Sequence, residues 1–358
     1  MAENKIVIHI ESGLGNQMLS YCELLALQYS NPNAECYVET LVFDYPECNE
    51  ITCQWNGYEL EKIFGIKTPD VSTLFSEREW EDIKKEIYQT EFWKRSWNWP
   101  KYFSETFSHH GLVLDNLKGD YEDINNPRFP HRKHKLYWLV REVLMNKNPL
   151  GAYIKQYLRR KYANKFTMSN AKPERLFIKT DKSIFTGLWL DFKFNGNQIE
   201  RIQDKIMESF IFPEFDTEQN RKFAEFLDGC NSVFIHARRG DMLSSNGWCY
   251  KYGYFKRAVK HIKENVKDPV FVFFTNTGSI GWCKENAKIF GLDYSKDKVC
   301  FVDWNVADES YRDMQLMGHC KHGIITNSTF GWWGAYFIKN PDKITISPMA
   351  EINTTYHC

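Results

Sequence analysis

The second half of the chain sets the tightest limit on its fold. From Ser232 onward, short apolar runs alternate with stretches of helical period. The apolar runs are SVFIHA (232–237), PVFVFFTN (269–276), KVCFVDW (298–304), HGIITN (322–327) and KITISP (343–348). Between them lie YFKRAVKHIKENV (254–266), IGWCKENAKIF (280–290), ESYRDMQLMGHC (309–320) and TFGWWGAYFIK (329–339). Strands that are apolar along their whole length and separated by helices belong to a parallel sheet covered on both faces. The N-terminal segment KIVIHIESGLGNQMLSYCELLALQYS repeats the theme as strand, glycine turn and helix, with Leu19, Cys22, Leu25, Ala26 and Tyr29 on one helical face. ECYVET and KSIFTGLWLDFKF supply further strands. The expected fold class is α/β, in two domains over residues 1–215 and 216–358. The stretch from about 70 to 165, dense in Trp, Tyr, Phe, Lys and Glu, reads as an aromatic-rich helical insert in the first domain.

Composition narrows the function. Lys plus Arg number 46 and Asp plus Glu number 46, so no global field draws the chain to nucleic acid or to an anionic membrane. A polyanionic ligand must be held by a local cluster. The start MAENKIVIHIES lacks the basic region and long apolar run of an export signal, and no run reaches about 18 apolar residues. The expectation is a cytoplasmic protein with no transmembrane segment, peripheral at most on the inner membrane face. The ten cysteines include no C-x-x-C and read as reduced, mostly buried thiols. GHCKHG (318–323) has no second ligand pair nearby, and it reads as a helix end entering a strand rather than a metal site.

In an open parallel sheet, ligands bind outside the carboxyl ends of the strands. Four strand ends in the second half are polar: His236-Ala237-Arg238-Arg239-Gly240-Asp241, Thr275-Asn276-Thr277, Asp303-Trp304-Asn305 and Asn327-Ser328-Thr329. Arginine binds phosphate oxygens with a planar fork. Two adjacent arginines at a strand end point to opposite faces, so one is expected on a ligand and the other on a brace. Ser328 and Thr329 stand where a strand turns into a helix. There they either cap that helix or, with its free N–H groups, form an anion site. Asp241 is the nearest carboxylate for general-base work, or a partner for Arg239. In the N-terminal turn, Gly13 and Gly15 admit a close backbone approach, while Asn16 and Gln17 offer amide donors. Met18 stands where the dinucleotide fingerprint has its third glycine, which speaks against an NAD enzyme. Trp93, Trp97 and Trp99 either stack on sugar faces or pack a helical core.

Together GLGNQM, TGLWLDFKF, HARRGD, FVDWN, YRDMQLMGHCKHGIITNSTFGWWGAYF and ITISP resemble the alpha-1,2-fucosyltransferases of glycosyltransferase family 11. The resemblance implies a GT-B-type architecture, two Rossmann-like domains facing a cleft. It also implies transfer of fucose from GDP-fucose to the 2-hydroxyl of a galactose-containing oligosaccharide or glycolipid, with inversion and without cofactor or metal. Arg238 then matches the diphosphate-binding arginine, with His236 beside it. Ser328, Thr329 and Phe330 close around the donor, and Asn16 reaches in from the first domain. One departure concerns the nucleotide: where the family usually reads Ser-Asp-Asp, this chain has Thr275-Asn276-Thr277, so guanine recognition falls to another group such as Asp303, or the donor differs. A same-fold transferase using another nucleotide sugar and a catalytically silent sugar- or nucleotide-binding protein are the competing readings.

Overall fold

A computed structural model describes residues 4–52, 56–95, 98–117, 176–187, 192 and 197–348. The chain divides into two compact units, Met1–Phe210 and Ile211–His357.

In the first unit, β1 (Lys5–His9), α1 (Leu14–Ser30), β2 (Glu35–Glu39), α2 (Glu77–Gln89), α3 (Trp99–His109), β3 (Asp115–Asn116) and β4 (Ile184–Gly187) follow one another. The strands form a parallel sheet in the order β2-β1-β4-β3. Its centre is dry, because Ile6, Val7 and Ile8 are fully buried, as a strand covered on both faces must be. The aromatic-rich stretch, as far as residue 117, is integral to this unit rather than attached to it. Phe92, Trp93, Trp99, Phe103 and Phe107 share one core with Val7 and Phe185 of the sheet. Residues 118–165 of the expected insert lie outside the described residues. α1 also differs from its expected single apolar face. It is buried on most sides, while Tyr29 is 55% exposed and lies under the Arg201 guanidinium.

The second unit runs α4 (Glu218–Asp228), β5 (Ser232–His236), α5 (Leu243–Lys251), α6 (Tyr254–Asn265), β6 (Val270–Phe274), α7 (Ile280–Glu285), β7 (Lys298–Phe301), α8 (Tyr311–His319), β8 (His322–Ile324), α9 (Thr329–Phe337) and β9 (Thr345–Ile346). All pairings are parallel, in the order β7-β6-β5-β8-β9. Side-chain alternation sorts the strands into two cores. Val233, Ile235, Phe271 and Phe273 pack with α6, whereas Phe234, Val272 and Phe274 pack with α4, α8 and α9. The chain lays down β5, β6 and β7 in one direction, then crosses back to place β8 and β9 on the other side of β5. The crevice beyond the carboxyl ends of β5 and β8 is therefore the topological switch point, where such sheets take ligands.

The described cysteines are all free thiols, and burial pushes several of them up, Cys36 to about 11 and Cys249 to about 12. Among the described residues, no helix is long and apolar enough to cross a membrane. The GHCKHG segment is a helix end followed by β8. Its His319 meets Asp228 at 3.0 Å, and His322 Nδ1 accepts the Ile344 N–H.

Candidate functional site

The turn after β5 is tied down by the strands on either side of it. The Arg238 N–H donates to Thr326 Oγ1 (3.3 Å), and that hydroxyl donates to the His236 carbonyl (3.2 Å). Thr275 Oγ1 donates to the Ala237 carbonyl at 2.7 Å, and the Tyr250 hydroxyl donates to the Arg238 carbonyl at 2.9 Å. The Arg239 N–H donates to Asn276 Oδ1 at 2.9 Å. Gly240 follows at φ +56°, and a Cβ there would stand 2.8 Å from Asn276 Nδ2. Its lack of a side chain is thus required both by conformation and by space.

Arg239 takes the bracing role in this turn. The Arg239 guanidinium lies 3.4 Å from the Trp282 ring centroid and 5.0 Å from that of Tyr250. Sandwiched this way, it braces the turn through cation–π contact. Arg238, alternate to it along the chain, is half-buried and held through both its N–H and its carbonyl. Its charge acts on His236. Burial first, and Arg238 second, push that imidazole down to about 3, so it is neutral at any working pH.

His236 is the end of β5 and is 4% exposed, yet its Nδ1 has no hydrogen-bond partner among the described residues. It lies against the first turn of α9: a Cβ built on Gly331 would come within 2.3 Å of Nδ1, and the Phe330 ring centroid is 5.7 Å away. Ser328 occupies the N-cap position of α9 in extended conformation, but its side chain makes no cap bond. Of the two readings of Ser328, capping therefore fails. An uncapped hydroxyl, the first N–H groups of a helix, a neutral buried imidazole and an arginine converge where β5 and β8 end. Helix N-termini of this kind favour anions. Thr326 and Gly331 belong to this assembly as well. Sequence reading passed over both, though the apposition of Gly331 to a strand-end histidine is a tertiary fact.

The other residues expected at the donor have the following surroundings. Asn276 is engaged in holding the turn: its Oδ1 takes the Arg239 N–H, and its Nδ2 donates to Ser279 Oγ at 3.1 Å. Asp303 is exposed and sits 3.6 Å from Lys284 Nζ. The carboxylate that is buried near the end of β7 is Asp313, in the first turn of α8, which accepts a hydrogen bond from Asn305 Nδ2 at 2.9 Å. Burial first, with Asp303 adding to it, raises this carboxyl to about 8 despite that bond. Asn327 is buried; Thr329 is half-buried at the start of α9. The Asp241 side chain lies outside the described residues.

In the first unit, Gly13 is the N-cap of α1 in extended conformation, and Gly15 lies buried inside the first turn. Asn16 and Gln17, adjacent in sequence, have opposite fates. Gln17 is fully buried. Its Nε2 donates to the carbonyls of Ser12 and Gly57, both at 2.8 Å, and its Oε1 accepts the Glu59 N–H at 2.9 Å. That side chain is a tie within the fold, not a ligand donor. Asn16 is half-buried, and its amide engages no described residue. Trp93 and Trp99 are 5% and 0% exposed, ring-packed against Phe92, so they are core and not sugar platforms. Trp97 lies outside the described residues.

Residues 201–357 match the family described as glycosyl transferase family 11. A curated alpha-1,2-colitosyltransferase of Escherichia coli is 32% identical over 173 residues, 46% of this chain and 54% of its own length. The galactoside alpha-(1,2)-fucosyltransferase 2 of Oryctolagus cuniculus is 28% identical over 166 residues, 44% and 45% of the two chains. The chain thus spans about half the length of the curated relatives it matches. Among solved structures, the NodZ alpha-1,6-fucosyltransferase co-crystallized with GDP aligns over 93% of this chain and 92% of its own, at 10% identity and a TM-score of 0.43.

Proposed function

We propose that this chain, whose residues 201–357 match glycosyl transferase family 11, is an inverting glycosyltransferase of that family. It moves L-fucose from GDP-fucose to the 2-hydroxyl of a galactose-terminated oligosaccharide or glycolipid, without a metal ion. The observation that carries the reading is the seat at the β5–β8 edge, where Arg238, neutral His236, uncapped Ser328 and the N-terminus of α9 converge. Breaking a glycosyl–phosphate bond puts negative charge on the departing diphosphate as the sugar becomes oxocarbenium-like. Preorganised donors in a dry site stabilise that charge most where it develops. A fixed arginine and a helix N-terminus supply the role a divalent cation would otherwise play. Asp241, one residue past the stitched turn, is assigned as the acceptor of the proton from the sugar hydroxyl, and Asn16 as the substrate-facing amide of the first unit. The test is one assay: GDP-fucose with a panel of β-galactosides in the presence of EDTA, product linkage determined. An alpha-1,2-fucosylated product is expected, and Asp241→Asn should lower kcat with little change in donor affinity. Absence of any transfer across the panel would leave a silent binding protein; loss of transfer in EDTA would overturn metal independence. A colitosyltransferase among the relatives makes a second deoxysugar donor the alternative, and competition between GDP, UDP and ADP reads the nucleotide directly.

For the nucleotide base, we assign Asp313, the buried carboxylate beside Asn305 past the end of β7, as the acceptor of the guanine N–H groups. Only the ionised carboxylate accepts both N–H groups, and ionising Asp313 in the free protein requires pH above about 8. GDP affinity is therefore expected to rise about tenfold per unit as pH climbs toward 8 and then to level off. Asp313→Asn should bind GDP more weakly with a flat profile. The stability sign is the reverse. A carboxyl raised in the folded state contributes stability at low pH that is lost as pH rises through about 8, so Asp313→Asn should gain melting temperature relative to wild type at pH 8 and not at pH 4. Calorimetric titration of both proteins from pH 6.5 to 8.5 checks this; parallel profiles would remove Asp313 from the guanine site.

A further inference from the structure

The first unit contains a buried ionic chain that the donor seat does not use. His9 ends β1, Glu39 ends β2, and the two are register partners across the sheet. The His9 imidazole donates from Nδ1 to Glu39 Oε2 and from Nε2 to Glu11 Oε2, the latter at 3.1 Å. The side chains of His9, Glu11 and Glu39 are 0%, 2% and 0% exposed. Glu39 Oε1 takes the Leu41 N–H at 2.6 Å, whereas Glu11 Oε1 is buried with no partner among the described residues. Trp99, Phe103 and Phe185 ring the imidazole. Two carboxylates and one imidazolium in an apolar shell are costly, and a strand-to-helix turn can be built without them.

What they hold is unusual. Directly after Glu11, Ser12 sits at φ +68°, a left-handed conformation that a non-glycine residue keeps only when its surroundings impose it. The other side of this turn is clamped separately, Ser12 and Gly57 by Gln17, and the Leu14 N–H by Glu59 Oε2 at 3.1 Å. The next element is the first turn of α1, with Asn16. We infer that the Glu39–His9–Glu11 chain is a positioning device for the reaction, holding the Glu11–Ser12–Gly13 turn and so the amide of Asn16 in a single geometry. This rests on the reading that Asn16 meets substrate.

The device has a pH signature. Burial opposes the imidazolium, but Glu39 and then Glu11 outweigh it and raise His9 to about 9. Among the described residues, the other groups coupled to this chain are Asp70, which acts on Glu39, Tyr45, and Cys48 of the helix Pro46–Thr52. Burial drives the tyrosine and the thiol far upward, and α3 and β4 bring Trp99, Phe103 and Phe185 against the imidazole. Above about pH 9, His9 has one N–H for two carboxylates, and one contact turns repulsive.

The test combines transfer kinetics with amide exchange in the full chain. For His9→Gln, kcat/KM for the acceptor is expected to fall about 10- to 100-fold, the scale of a misplaced substrate group, while GDP affinity stays within twofold. The alkaline limb near pH 9 should vanish. Exchange of the Asn16 and Gln17 amides, corrected for intrinsic rates, should quicken about tenfold in this variant and in wild type above pH 9. Should His9→Gln fail to fold, the wild-type exchange titration and the imidazole nitrogen shifts of His9 carry the test alone. Active protein whose turn exchanges equally at pH 7 and 10, or a His9→Gln variant that keeps the alkaline limb, overturns the device. Wild-type protein that transfers no sugar overturns the functional reading first, and that result is visible before any variant is made.

Discussion

Replacing Arg238 with lysine is expected to leave little more turnover than replacing it with alanine. The Arg238 backbone is pinned through Thr326 and Tyr250, so the guanidinium is presented from a fixed base rather than from a mobile loop. A planar fork can meet two diphosphate oxygens at once, and an ammonium cannot. Charge-assisted hydrogen bonds contribute roughly 1.5–3 kcal/mol each, and each 1.36 kcal/mol is tenfold in rate. Loss of the fork should therefore cost at least about 10- to 100-fold in kcat at saturating donor. Arg239→Lys gives the contrast. Its role is to stack on Trp282 and Tyr250, so its loss should appear as lower stability of the turn. Wild-type turnover in Arg238→Lys would mean that the diphosphate is met by another group.

The second large effect is expected from a single methyl group. A Cβ at Gly331 would stand 2.3 Å from His236 Nδ1, 3.0 Å from its Cγ and 3.3 Å from its Cβ. The imidazole is buried and cannot swing aside, so either α9 or the end of β5 must move. Overpacking of this kind costs typically about 1–3 kcal/mol, or a few degrees of melting temperature per kcal/mol for a unit this size. The functional loss should be larger than the stability loss, because the shift falls on Ser328, Phe330 and His236 together. GDP affinity in Gly331→Ala is expected to drop at least about tenfold. Adding His236→Ala should relieve the clash, so the double variant is more stable than the sum of the single changes while nucleotide binding stays weak. Additive stability changes would show that the two residues do not press on each other.

The architecture was largely legible because it depends on local periodicity. Val233–Ile235 and Val270–Phe274 are apolar throughout, which only a doubly covered strand tolerates, and both are buried. Parallel order then placed the polar strand ends at one edge. Aromatic residues were harder to read, since a tryptophan packs a core or a sugar with the same chemistry. Trp93 and Trp99 proved to be core because Phe92, Phe103 and the first sheet surround them. Asp313 was missed for a related reason. In YRDMQLM it looks like any acid in the first turn of a helix, and only the fold shows that it is buried beside Asn305.

By itself the sequence determined the alternation of strands and helices, the parallel sheet of the second unit, and the set of polar groups at its carboxyl edge. Tertiary structure decided which of those groups remain available to a ligand. Arg239 and Asn276 at that edge, like Gln17 in the first unit, are engaged by the fold, whereas the Asn16 side chain and the Ser328 hydroxyl meet no partner among the described residues. The physical reason is that strand and helix formation follow from neighbours a few positions apart. Hydrogen-bond satisfaction and burial of one side chain depend on partners tens of residues away: Trp282 for Arg239, Gly57 and Glu59 for Gln17, and Glu39 for His9.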